Sequence, residues 1–252
     1  MQEIIQKKLR EIEEKENVKI LLAIESGSRA WGFASPDSDY DVRFIYVRKT
    51  EDYLKLQEVR DVIEWQLDDV LDINGWDIKK ALKLMYKCNP TVFEWCSSPI
   101  VYHKTEEFEE LKKLLPKYFS VKKGLFHYWH MANSNYRDYL KGDMVRAKKY
   151  LYVLRPLLAA KWIIERKCQP PMLFSELVET MLDKELLPAV EHLLELKKVL
   201  KEKEEVPRIQ ALNDYIEASM EQVKRWAEEV PEHEISWDQL DKFFLKLNGL
   251  EG

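Results

Sequence analysis

The sequence predicts an α+β fold: a mixed sheet with flanking helices over residues 1–104, then an all-helical region over residues 105–252. Three observations carry this expectation. Short apolar, β-branched runs at Ile20–Ile24 and Val42–Val47 have the length of buried strands, and Val59–Gln66 and Val70–Ile73 read as two more. Gln2–Glu16 instead sets Ile4, Ile5, Leu9 and Ile12 at helical spacing. Beyond Lys104 every stretch reads helical, with breaks near Pro116, Gly142, Pro170 and Pro207, and this shift marks the expected domain boundary.

Taken in order, the first helix leads to a strand over Val18–Glu25, then a Gly27-Ser28 turn and a short helical stretch from Arg29 to Phe33. Pro36-Asp37-Ser38 is turn chemistry before the second strand. Two further strands turn near Asp68-Asp69. Helices follow over Trp76–Met85 and from Asn89-Pro90 to Trp95, and Ile100–Tyr102 reads as a last strand. The helical region holds a helix over Val121–Leu140 and another over Met144–Ile164 with Pro156 inside it. Lys197–Glu205 reads as a solvated helix end.

The apolar fraction of 46% with 12% aromatics supplies a packed core and excludes a disordered chain. No apolar run approaches a membrane span and no signal-peptide core is found, so a cytoplasmic protein with no membrane partner is expected. Cys88, Cys96 and Cys168 lack paired metal spacing and read as reduced thiols. The net charge of −5 hides an asymmetry. From Lys112 to Lys167 fourteen Lys/Arg face three acids, a balance of +11 that leaves −16 for the rest. Such a stretch suits a polyanionic partner.

The chemistry concentrates in the stretch Ile20–Tyr46. Asp39 and Asp41 alternate with Tyr40, so on a strand they face one way. Two adjacent carboxylates repel unless a cation sits between them, and oxygen-only donors suit Mg²⁺. Gly27 and Ser28 offer backbone N–H groups for a phosphate, and Arg29 a fork of donors. Arg43 shares the face of Asp41, where it either pairs with the carboxylates or touches a triphosphate. Lys148, Tyr152 and Arg155 share a helical face offering two cations and a ring, with Lys149 on the adjacent face. His127 and His130 lack the further ligands a zinc site needs.

Gly27-Ser28 followed by Asp39-x-Asp41 resembles the signature of the DNA polymerase β-like nucleotidyltransferase superfamily. The fuller string Gly-Ser-Arg-Ala-x-Gly…Ser-Asp-x-Asp-x-Arg-x-x-Tyr resembles its RNA-repair-pathway, RNA-ligase-associated branch. The resemblance implies a palm-like sheet and a third carboxylate on the strand beside Asp-x-Asp. Asp72 matches that placement; Asp77 is the rival, better placed to cap a helix. It further implies two Mg²⁺ ions (Mn²⁺ as an alternative), an NTP such as ATP bound by Gly27, Ser28, Arg29, Lys148, Tyr152 and Arg155, and an RNA end as acceptor. A protein or small-molecule acceptor, or a nucleotide-binding module without catalysis, are the competing readings.

Overall fold

A computed structural model describes residues 1–35, 38–68, 70–199, 204–232 and 234–250. The turns expected at Pro36-Asp37 and at Asp69, and part of the charge run after Lys197, lie outside the described residues. In chain order the elements are α1 (Gln2–Glu16), β1 (Lys19–Glu25), the single turn α2 (Gly27–Ala30), β2 (Tyr40–Val47), α3 (Thr50–Tyr53), β3 (Val62–Asp68), β4 (Leu71–Asp77), α4 (Ile78–Tyr86), α5 (Pro90–Cys96) and β5 (Val101–Lys104). Then come α6 (Glu106–Lys112), α7 (Leu115–Tyr118), α8 (Val121–Tyr139), β6 (Met144–Arg146), α9 (Ala147–Arg166), α10 (Phe174–Met181), α11 (Leu187–Val199), β7 (Glu205–Pro207), α12 (Gln210–Glu229) and α13 (Asp238–Leu247). The fold is α+β. No described helix is long and apolar enough to cross a membrane.

The chain forms two compact units. One gathers Met1–Trp31, Ser38–Tyr118 and Glu234–Gly252; the other gathers Gly32–Asp37 and Phe119–His233. This partition differs from a division at residue 104. α6 stays with the sheet because its apolar positions, Phe108 and Leu111, are buried and Thr105 N–H bonds Leu21 O at 3.0 Å. α13 returns to the same unit, stacking Trp237 on Tyr86 at 3.6 Å and setting Phe244 edge-on to Tyr53 at 5.2 Å.

The sheet has the order β3-β4-β2-β1-β5, with β2 and β4 parallel and the other neighbours antiparallel. Alternation assigns its two faces. Val42, Phe44 and Tyr46 of β2 and Leu71 and Ile73 of β4 join Ile5, Leu9 and Ile12 of α1 in one core. Gly75, opposite Phe44 in register, belongs to that face; a Cβ there would overlap the Phe44 ring, so the glycine makes room for it. The even-numbered residues of β4 face the other way, where Trp76 stacks on Trp95 of α5 at 3.8 Å.

Several boundaries differ from expectation: the short helix after β1 is Gly27–Ala30 and does not reach Phe33, and β3 begins at Val62 and not at Val59. Trp76 remains in β4, paired with Val62, and α4 starts only after Asp77 accepts a hydrogen bond from Lys79 N at 2.8 Å. Met144–Arg146 pairs with Glu205–Pro207 in a small antiparallel ribbon, so α9 begins at Ala147. Tyr150 anchors this region: its hydroxyl accepts from Ile209 N at 2.9 Å and donates to Asn213 Oδ1 at 2.5 Å.

Candidate active site

The turn after β1 is shaped around Asp41. Gly27 has φ of 60°, a left-handed conformation that strains other residues. A Cβ at this position would also overlap Asp41 Oδ2, so the carboxylate lies directly against the glycine. Ser28 follows, half-buried in α2. The backbone of Asp41 is held on both sides: its N–H donates to Glu25 Oε1 at 2.8 Å, and its carbonyl accepts from Ser26 N at 2.8 Å.

Glu25 is fully buried and was not anticipated from the sequence. Besides the Asp41 amide it accepts a hydrogen bond from the Tyr102 hydroxyl, and its own carbonyl accepts from Ser98 Oγ at 2.6 Å. Burial raises its pKa, while the Tyr102 and Asp41 donors pull the other way. The available signal was an acid ending the apolar run Ile20–Ile24. Such a residue must find donors or leave the strand.

Arg29 serves the same segment. Its Nε donates to Asp39 O at 3.0 Å, its Nη2 to Ser38 O at 2.6 Å, and the guanidinium lies 3.7 Å from the Tyr40 ring centroid. The sequence reading gives this residue to a triphosphate; in the fold it clamps the backbone leading into β2.

Asp41 and Asp72 are register partners on the parallel pair β2–β4, so their side chains emerge side by side on one face. Arg43, two residues along β2, closes the group. Its Nη2 donates to Asp41 Oδ1 at 2.9 Å and to Asp72 Oδ2 at 2.8 Å, and its Nη1 to Val42 O at 3.0 Å and Asp72 O at 3.1 Å. The side chains grade outward, with Arg43 17%, Asp41 33% and Asp72 55% exposed, so Asp72 is the carboxylate solvent reaches most easily. Asp41 has its pKa raised, first by burial and then by Asp72 and Asp39, against the opposing Arg43 charge. Asp39 itself is exposed, just ahead of β2.

Asp77 lies elsewhere. It is five residues beyond Asp72, about 16 Å along the strand, and an odd step puts it on the opposite face. There it is buried as the cap of α4 and accepts from the Tyr53 hydroxyl at 2.9 Å.

The residues expected from the helical region lie in the second unit. Tyr152 has the Lys148 ammonium 5.9 Å and the Lys149 ammonium 5.4 Å from its ring centroid. Lys149, assigned by spacing to the adjacent face, reaches the ring because its four-carbon stem spans that offset; it also sits 3.9 Å from the Tyr139 ring. Arg155 is 2% exposed and belongs to the interior of this unit, since every residue from Val153 to Ala160 is buried. Phe33, from the segment between Gly27 and Asp39, packs edge-on against Phe174 at 5.5 Å and Tyr152 at 6.3 Å. Lys197 is also buried and donates to Phe33 O, so the start of its charge run is a tether and not a solvated end.

The donor set fits a hard divalent cation. Asp41 and Asp72 present carboxylate oxygens to a shared position already taken by positive charge, and Asp39 adds to their field. Among the described residues no group of three or more His, Cys, Asp or Glu side chains is gathered closely enough to hold a metal ion by itself.

Compared with known proteins, the chain matches over residues 1–246 the family described as the RNA repair pathway DNA polymerase beta family. It is 45% identical over 232 residues to the uncharacterized protein YcgL of Bacillus subtilis (strain 168), a span of 91% of this chain and 89% of that one. The crystal structure of a nucleotidyltransferase-like protein from Exiguobacterium sibiricum 255-15 aligns with 89% of this chain and 74% of its own, at 12% identity and a TM-score of 0.33. That likeness is too slight to bear on the chemistry.

Proposed function

This chain belongs to the RNA repair pathway DNA polymerase β family, and from that premise we propose that it is a metal-dependent nucleotidyltransferase. It moves an NMP from an NTP to the hydroxyl of an RNA end and releases pyrophosphate. The observation that carries this reading is the pair Asp41 and Asp72, in register on parallel strands, gathered about a cation beside Gly27.

In the proposed reaction Asp39, Asp41 and Asp72 hold Mg²⁺, or Mn²⁺ in its place. Divalent ions there supply charge stabilisation at the attacking and leaving oxygens of phosphoryl transfer. The chain's own groups do the rest. Gly27 leaves its backbone open to close approach by a phosphate, and Ser28 adds a hydroxyl. Asp72, the most exposed of the carboxylates that Arg43 bridges, accepts the proton of the acceptor hydroxyl. Glu25 and Arg29 orient this set by fixing the backbone of Asp41 and Asp39. Lys148, Lys149 and Tyr152 are the nucleotide contacts proposed from the helical unit, with the lysines for phosphate and the ring for the base. Arg155 shapes the helix that carries them.

The basic stretch Lys112–Lys167 and the family's RNA-repair description favour RNA as the acceptor over a small neutral molecule. The test is incubation with each α-³²P-labelled NTP, Mg²⁺ and a mixture of RNA ends and proteins. Label is expected in RNA and absent with an Asp39→Ala, Asp41→Ala double variant, each lost ligand lowering the rate on the order of a thousandfold. Label in protein or small molecules overturns the acceptor assignment; label that survives the double variant overturns the site.

A further inference from the structure

The position between Asp41 and Asp72 is filled by the protein itself. One nitrogen, Nη2 of Arg43, bonds a carboxylate oxygen from each of two strands, and the other terminal nitrogen is fastened to the Val42 and Asp72 carbonyls. The side chain is 17% exposed, so the guanidinium is wedged in the cluster and not lying over it. Two carboxylates in register on adjacent strands, with no cation between them, would otherwise repel.

We propose that Arg43 is a built-in occupant of the cation position, holding Asp41 and Asp72 together until a divalent ion displaces its Nη2. The inference rests on the nucleotidyltransferase reading, since it takes Asp41 and Asp72 as ligands. Arg43 therefore acts in opposition to the metal. It keeps the carboxylates ordered without metal, and it weakens metal affinity by competing for the same oxygens. Because Nη1 is tied to backbone carbonyls, release of the Nη2 contacts alone frees Asp41 Oδ1 and Asp72 Oδ2 while the arginine stays at the site's edge. A divalent cation is the ligand class; a monovalent ion offers no charge advantage over the guanidinium it replaces.

The experiment is a Mn²⁺ titration of the full chain, following free Mn²⁺ by its electron paramagnetic resonance signal at fixed ionic strength. Wild type, Arg43→Gln, Arg43→Lys and Asp41→Asn are compared after far-ultraviolet circular dichroism shows each to be folded. Arg43→Gln is expected to bind about tenfold tighter than wild type, with Arg43→Lys between them and Asp41→Asn without tight binding. Thermal melts give a second readout: without metal Arg43→Gln melts below wild type, and saturating Mn²⁺ raises its Tm by more than it raises that of wild type. Arg43→Lys retains a charge and keeps the test open if the glutamine variant does not fold. Equal or weaker Mn²⁺ binding by the Arg43 variants, with wild type binding normally, overturns the inference and leaves the enzyme reading standing. Absence of Mn²⁺ uptake in wild type and in both Arg43 variants overturns both.

Discussion

At the scale of single residues, the site is organised by what cannot be placed at position 27. Gly27 combines a left-handed backbone with contact against the Asp41 carboxylate, so two independent reasons exclude a side chain. Gly27→Ala is expected to cost about 1–2 kcal/mol from the backbone conformation alone. It also pushes the Asp41 carboxylate out of place, so nucleotidyl transfer should fall further than the lost stability accounts for. Chemical denaturation together with transfer rates at a temperature where the variant is fully folded separates the two effects. Part of this was legible beforehand: the Gly-Ser turn and the face that Arg43 shares with Asp41 follow from residue types and spacing, whereas Asp39 lies just ahead of β2 and not on it. Glu25 was not, because an acid at a strand end looks the same whether it faces water or a buried amide; only the register of β1 against β2 brings it to Asp41 N–H. Arg29 shows a related ambiguity: its guanidinium holds the Ser38 and Asp39 carbonyls. A guanidinium suits backbone carbonyls as well as phosphate oxygens, and sequence spacing cannot tell which is nearer.

At the scale of elements, strand parity separates the two candidate carboxylates of β4. Asp72 shares a face with Asp41, whereas Asp77 caps α4 on the far side. Asp77→Ala should cost about 1 kcal/mol through the lost cap, and more from leaving the half-buried Tyr53 hydroxyl without its acceptor. Asp77→Asn can keep the cap through its single amide oxygen, turns an NH2 toward the Tyr53 hydroxyl in place of the second acceptor, and removes the titration. Burial holds the Asp77 carboxyl above its ordinary 3.8, against the opposing Lys79 amide and Tyr53 hydroxyl. The folded chain therefore binds a proton that the unfolded chain has released. The stability this proton contributes is complete below about pH 3.8 and is lost as pH rises through the raised folded value. Relative to Asp77→Asn, wild type should thus gain unfolding free energy as pH falls from about 7 to about 4, measured by urea denaturation at each pH. Most element identities were legible from periodicity, but several boundaries and the small ribbon of the helical region were not. Trp76 extends a strand because a pairing partner, Val62, reaches it, and Met144–Arg146 is drawn from helix to ribbon by Glu205–Pro207, sixty residues away in sequence.

At the scale of the whole molecule, the division by secondary-structure type and the division by contacts do not coincide. The first unit includes α6, α7 and α13, and the second takes Gly32–Asp37. Composition marks where strands cease but not which core a helix joins; that is decided by apolar positions such as Phe108, Leu111 and Phe243 finding a matching surface. Phe243→Ala, near the C-terminal end, should therefore destabilise the sheet-containing unit by about 3 kcal/mol. Hydrogen exchange should show protection lost in β1 and β2 before α8 and α9. The account as a whole turns on one claim, that the face of the sheet carrying Asp41 and Asp72 performs nucleotidyl transfer. Label transfer from α-³²P-NTP by Asp72→Asn and Asp77→Asn, assayed side by side, tests it most directly. The account predicts a loss on the order of a thousandfold for Asp72→Asn and near wild-type transfer for Asp77→Asn; full activity in Asp72→Asn, with or without loss in Asp77→Asn, would contradict it.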